Sequence, residues 1–182
     1  AVLTHAGKLE GSGYDEDQLA MLRDERDYRN VTLVELPRGD FACAVVRNAN
    51  AFGAAAVHIV GRRRWNRRGA MVTDRYQHVQ HHPDATSLVA FCGAEGLTLV
   101  GVDNLEGSVP IETVELPERS MLIFGQEGPG LSAEVRDAAE LVCSITMFGS
   151  TRSINASAAA AIAMHAWIRE YADLTDDAAW RG

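Results

Sequence analysis

Ser153, Asn155 and Ser157 recur at every second position where the polar run Gly149–Ser153 meets an alanine-rich segment starting at Ala156. A side-chain oxygen of Ser153 or Asn155 could accept from the free amides at the start of a helix, and one such group suffices for a cap. Three polar groups with Arg152 beside them exceed that need, so the surplus marks a candidate reaction site, with capping alone left open for Ser157. The run Ala158 to Ala161, with Ala163 and Ala166, permits close approach of another backbone. Helix propensity also explains alanine there.

Two other segments carry chemistry. "FGQEGPGLS", Phe124 to Ser132, follows an apolar run and precedes a helical one. Gly125, Gly128 and Gly130 let the backbone turn tightly and present its amides, while Glu127 supplies the charge. The spacing fits neither the dinucleotide fingerprint nor the Walker pattern, so a cradle for a nucleotide phosphate is not supported. An ordinary glycine-rich connection reads equally well from the loop alone. In "VVRNANAFG", Val45 to Gly53, Arg47 sits among small and apolar neighbours. A guanidinium there either reaches a carboxylate at the helix end or serves a site.

Charge singles out a third feature. The chain has a formal net charge of −8, which argues against a general nucleic-acid coat, yet "GRRRWNRRG" concentrates Arg62, Arg63, Arg64, Arg67 and Arg68 around Trp65. Arginine used five times without lysine favours directed phosphate contact over a merely solvated loop. In "HVQHH", His78, His81 and His82 have no cysteine or carboxylate at ligand spacing, which predicts an exposed or RNA-facing loop and no metal site. Cys43, Cys92 and Cys143 are scattered in apolar runs and read as reduced core residues. No apolar run reaches the roughly 18 residues that a membrane span needs, and a cytoplasmic setting is expected.

The elements that must position these residues alternate. A charged, helix-compatible segment, 13–29, predicts a short N-terminal helical extension over residues 1–29, and one domain runs from residue 30 to 182. Strands are expected at Val31–Leu36, Val57–Val60, Leu97–Val102, Met121–Phe124 and Leu141–Ile145. Helices are expected at Phe41–Phe52, at Ala85–Glu95 between an Asp84 cap and a Gly96 stop, near Ser132–Ala139, and from about Asn155 onward. Short apolar strands without period-two alternation indicate an α/β fold with a mostly parallel sheet and helices on both faces. Ligands of such sheets sit at the carboxyl ends of strands, which is where the informative residues fall: after Val60, Val102, Phe124 and Ile145.

"RNANAFG", "FGQEGPGLS" and "SINASAAAAIA", in this order and at these intervals, resemble the three motifs of the TrmH-like (SpoU) branch of the SPOUT superfamily, which are RNA ribose 2′-O-methyltransferases. The likeness runs from about Asn30 to Ala172. It implies a deep C-terminal trefoil knot, a homodimer and S-adenosyl-L-methionine held in the knotted loops. Carried over by position, it implies cofactor contacts at Gly125, Ile145 and Ile154, with Val102, Asp103 and Asn104 close by. It implies catalytic roles for Arg47, Glu127, Ser153 and Asn155, with Arg47 facing the cofactor of the other subunit, and tRNA or rRNA as substrate. Two positions depart from the family's pattern: Phe41 replaces the usual Asn six residues before Arg47, and Gln126 replaces Asn or Ser before Glu127. Phe41 motivates an alternative, an RNA-binding relative with impaired chemistry; a base-methylating SPOUT enzyme is a third.

Overall fold

The computed structural model describes residues 31–36, 41–61, 77–125 and 129–172. The expected 13–29 helix, the arginine loop from Arg62 to Arg68, and Gln126 and Glu127 lie outside the described residues.

Seven strands form one sheet, in the order β3-β2-β1-β6-β4-β7-β5, and every pairing is parallel. In chain order the strands are β1 (Val31–Leu36), β2 (Ala56–Gly61), β3 (Val79–His82), β4 (Thr98–Val102), β5 (Val109–Pro110), β6 (Ser120–Phe124) and β7 (Leu141–Ser144). The helices are α1 (Phe41–Ala51), α2 (Ala85–Glu95), α3 (Ala133–Ala138) and α4 (Ala156–Tyr171), and a 3-10 turn spans Ile111–Thr113. From β1 the described chain builds outward through β2 and β3, then crosses to β4. β6 later returns to fill the gap between β1 and β4, with Met121 opposite both Val31 and Leu99.

Central strands are buried on both faces, and their period-two geometry divides them between two cores. Val100, Val102, Leu122 and Phe124 face one way, into a cluster with Val45, Val46 and Ala49 of α1 and Ala160, Ala163, Met164 and Trp167 of α4. Leu99, Met121 and Ile123 face the other way, onto Leu88 and Cys92 of α2 and Val135 of α3. The α4 residues recur at i, i+3, i+4 and i+7, one stripe of an amphipathic helix. Small side chains on that stripe let α1 lie close, and Asn48 Nδ2 donates to the Ser157 carbonyl at 2.8 Å. The far end of α4 is pinned to the segment before β6. Trp167 Nε1 donates to the Pro117 and Glu118 carbonyls, Tyr171 donates its hydroxyl proton to the Leu116 carbonyl, and Glu170 accepts the Leu116 amide at 3.0 Å.

Local signals are met where the chain spells them out. Asp84 caps α2 by accepting the Ser87 amide at 2.7 Å, and Gly96 ends it in the left-handed conformation, φ 62°. Ser132 caps α3 by accepting the Val135 amide. All three cysteines are buried and outside any disulfide, and burial pushes the Cys92 and Cys143 thiols up to about 11, so both stay protonated at neutral pH.

"HVQHH" is corrected by the structure. Residues 79–82 are the edge strand β3, parallel to β2, with His82 turned inward rather than out toward a partner. His82 Nε2 lies 2.8 Å from His58 Nδ1, one ring donating and the other accepting, and Phe91 of α2 covers the pair. Polar residue types concealed the strand, because each buried imidazole satisfies the other. Among the described residues, no cluster of His, Cys, Asp or Glu could hold a metal ion.

Candidate functional site

Adjacent strands β6, β4 and β7 end side by side, and the segments leaving them enclose a cavity of about 520 Å³. Val102, Asp103 and Asn104 come from the end of β4, Phe124 and Gly125 from β6, and Ile145 from just past β7. Gly130 closes one side, while Arg152, Ser153, Ile154 and Asn155 form the other, above Ala156 and Ala159 at the start of α4. The cavity lies at the carboxyl edge of a parallel sheet, the edge at which ligands of open α/β sheets bind.

Two glycines make the enclosure sterically feasible. A Cβ on Gly125 would lie 2.1 Å from the Gly130 carbonyl carbon and 2.3 Å from the Leu131 nitrogen, so the two backbones touch directly there. Gly130 itself has φ +72°, and a Cβ on it would sit 2.3 Å from Asp103 Oδ2. Both constraints demand the smallest residue. The glycine loop, ambiguous as sequence, is therefore fixed in shape at its described ends.

Side chains then tie the walls together. Asp103 Oδ2 accepts the Leu131 amide at 2.9 Å, holding the glycine loop against β4. Asn104 Oδ1 accepts the Ile145 amide at 3.1 Å, and its Nδ2 donates to the Arg152 carbonyl at 3.5 Å. Glu112 accepts from Thr146 twice, from the amide at 3.2 Å and the hydroxyl at 2.9 Å. Asn155 Oδ1 accepts both the amide and the hydroxyl of Ser157, at 2.8 and 2.5 Å, so Asn155 is the cap of α4 and Ser157 is not. Ser153 lines the cavity and makes no cap bond.

Most of the residues singled out in the sequence therefore meet in one place: Val102, Asp103, Asn104, Gly125, Ile145, Ser153, Ile154 and Asn155 all line this cavity. Arg47 does not. It is exposed on α1, one residue before the Asn48 bond that ties α1 to the first turn of α4, and it is absent from the lining of its own chain's cavity.

The model of the SpoU rRNA Methylase family matches residues 30–165. The chain belongs to this family. A relative in Borreliella burgdorferi, a tRNA (guanosine(18)-2′-O)-methyltransferase, is 27% identical over 142 residues, covering 76% of this chain and 65% of that protein. An uncharacterized tRNA/rRNA methyltransferase of Mycolicibacterium vanbaalenii is 33% identical over 128 residues, covering 66% of this chain and 40% of its own length. The chain thus spans less than two thirds of either relative. Among solved structures, the A. aeolicus TrmH/SpoU tRNA modifying enzyme superposes with a TM-score of 0.73 at 21% identity, over 85% of this chain and 82% of the other. The SpoU methyltransferase AviRb from Streptomyces viridochromogenes, in complex with AdoMet, gives 0.70 at 22% identity, over 76% and 56%. These likenesses support the α/β fold with its parallel sheet.

Family motifs pointed to Asp103 and Asn104 as neighbours of a ligand, but their bracing bonds were not foreseen. The signal was present: two polar residues directly after an apolar strand must satisfy someone's backbone. Glu112 left no such trace, since an acidic residue in a loop is unremarkable until its partner 34 residues away is known.

Proposed function

We propose that this chain transfers the methyl group of S-adenosyl-L-methionine to a ribose 2′-hydroxyl of tRNA or rRNA. The observation that carries this reading is the cavity itself, where the second and third motifs of an RNA-methylase family converge at the carboxyl ends of β4, β6 and β7. Its volume lies within the range of roughly 300–1,000 Å³ found for small-molecule sites. Its donor set suits a compact zwitterionic ligand: close-set backbone at Gly125 and Gly130, the Asp103 carboxylate, and the apolar Val102, Ile145 and Ile154. S-adenosyl-L-methionine, when bound, supplies a methyl group on a sulfonium sulfur.

In this reading Gly125, Ile145 and Ile154 hold the cofactor through their backbones, over a floor made by Val102, Asp103 and Asn104. Ser153 and Asn155 face the ribose, Glu127 orders the glycine loop, and Arg47 comes from the other subunit of a homodimer. The exposure of Arg47 outside its own chain's cavity supports a composite site. So does Ile162, an apolar side chain left exposed on α4. A guanidinium stays protonated at any physiological pH, so Arg47 is better suited to clamp the adjacent phosphate and stabilise developing charge than to remove the hydroxyl proton. Alignment of the hydroxyl with the methyl group carries much of the remaining barrier reduction. Arg62, Arg63, Arg64, Arg67 and Arg68 engage the RNA backbone. A C-terminal trefoil knot and a cytoplasmic setting complete the reading.

Phe41 favours one competitor, a relative that binds RNA without turnover. Incubation with methyl-labelled S-adenosyl-L-methionine and tRNA or rRNA, then nuclease digestion and mass spectrometry, separates the outcomes. A ribose-methylated nucleoside is expected. RNA binding with no transfer would establish the competitor, and a methylated base would move the activity to base nitrogen or carbon.

A further inference from the structure

Glu112 sits in the 3-10 turn after β5, and no motif or proposed contact uses it. Its carboxylate is nonetheless committed to one residue: Oε1 accepts the Thr146 amide at 3.2 Å and Oε2 accepts the Thr146 hydroxyl at 2.9 Å. Thr146 follows Ile145, whose amide is held in turn by Asn104 at 3.1 Å. Two consecutive amides just past the end of β7 are therefore satisfied by side chains rather than by a neighbouring strand. A segment leaving a sheet has no ladder to fix it, so these bonds determine where the Ile145 side of the cavity stands.

The charge at Glu112 strengthens the tie. Burial acts to raise its carboxyl, but hydrogen bonds from its own backbone and from Thr146 outweigh this and hold it below the usual range, so it is ionised at neutral pH. The same negative charge, after burial, helps raise the neighbouring Cys143 thiol. Bonds to an ionised acceptor are about twice as strong as neutral ones. Bonding both donors of a single residue also fixes its orientation as well as its distance.

We infer that Glu112 is a positioning residue for the cavity, clamping Thr146 so that Ile145 presents a fixed wall to S-adenosyl-L-methionine. This rests on the cofactor reading given above. Glu112 touches neither ligand nor reacting atoms; it acts through Thr146.

The test compares Glu112→Ala, Glu112→Gln and Thr146→Val with the wild type, each checked for folding by thermal melting. Two readouts are taken: amide hydrogen exchange at 145–147 without ligand, and calorimetric affinity for S-adenosylhomocysteine. Glu112→Ala should speed exchange at Thr146 and weaken binding by about threefold, because both residues are exposed and water partly replaces the lost bonds. Glu112→Gln keeps an oxygen for the amide and a donor for the hydroxyl, and should recover most of both. Thr146→Val removes only the hydroxyl bond and should fall between, and it carries the test if Glu112→Ala does not fold. In steady-state assays the KM for S-adenosyl-L-methionine should rise while the KM for RNA does not. Folded Glu112→Ala protein with wild-type affinity and unchanged exchange would overturn the clamp alone. Wild-type protein that binds no S-adenosylhomocysteine would overturn the cofactor reading and the clamp's role with it.

Discussion

Gly130 shows most sharply how single residues set the cavity. An L-residue at φ +72° costs roughly 1–3 kcal/mol, and the new Cβ would also displace the Asp103 carboxylate from the Leu131 amide. Gly130→Ala should therefore lower the melting temperature and abolish detectable S-adenosylhomocysteine binding, measured by scanning and titration calorimetry on the same preparation. Asn155 separates two roles that the sequence left superimposed. Its Oδ1 caps α4, so Asn155→Ala should cost about 1 kcal/mol in denaturant unfolding. Asn155→Asp keeps the capping oxygen, so it should restore stability; if the amide also serves the ribose, methyl transfer stays low. Capping was legible because the residue types that cap helices are few. The glycine requirement was not, because it arises from a backbone contact between loops that only the tertiary fold creates.

At the scale of elements, the apolar strands and well-capped helices were plain in the sequence. Ala85–Glu95 is matched end to end, because Asp84 and Gly96 state its limits in local chemistry. The short strands β3 and β5 were not foreseen: both lie at sheet edges, carry polar residues or proline, and owe their pairing to a neighbour. β3 has a consequence for pH. Burial first, and then the charge of His82, lowers the His58 pKa from 6.5 to about 4, and burial with His81 nearby also lowers His82. An unfolded chain takes up a proton at His58 near pH 6.5 and the folded chain does not. Stability from this site is thus complete above pH 6.5 and declines as pH falls toward 4. Integrated to pH 5, His58 alone removes about 2 kcal/mol. Urea unfolding at pH 7.5 and pH 5 should show that loss, and the double variant His58→Leu, His82→Leu should show a markedly smaller change between the two. An equal change in both proteins would mean that carboxylates elsewhere carry the acid sensitivity.

Over the whole molecule, alternation of strand and helix announced a parallel sheet, while the order of its strands stayed hidden. Placing β6 between β1 and β4 depends on pairings between segments far apart in the chain, which no local pattern records. The cavity exists because of that placement, since it brings the carboxyl ends of β4, β6 and β7 together. Family motifs supplied most of the lining in advance, and the fold shows why those motifs must be so widely spaced. Arg47 is the exception that makes the account testable, being exposed and outside its own cavity. The most direct measurement is labelled-methyl transfer to RNA by wild type and Arg47→Ala, with S-adenosylhomocysteine affinity measured in parallel. Arg47→Ala is expected to bind S-adenosylhomocysteine like the wild type yet lose about 10²-fold or more in ribose methylation, the scale of removing one electrostatic stabiliser. Equal ribose methylation by the two proteins would contradict it.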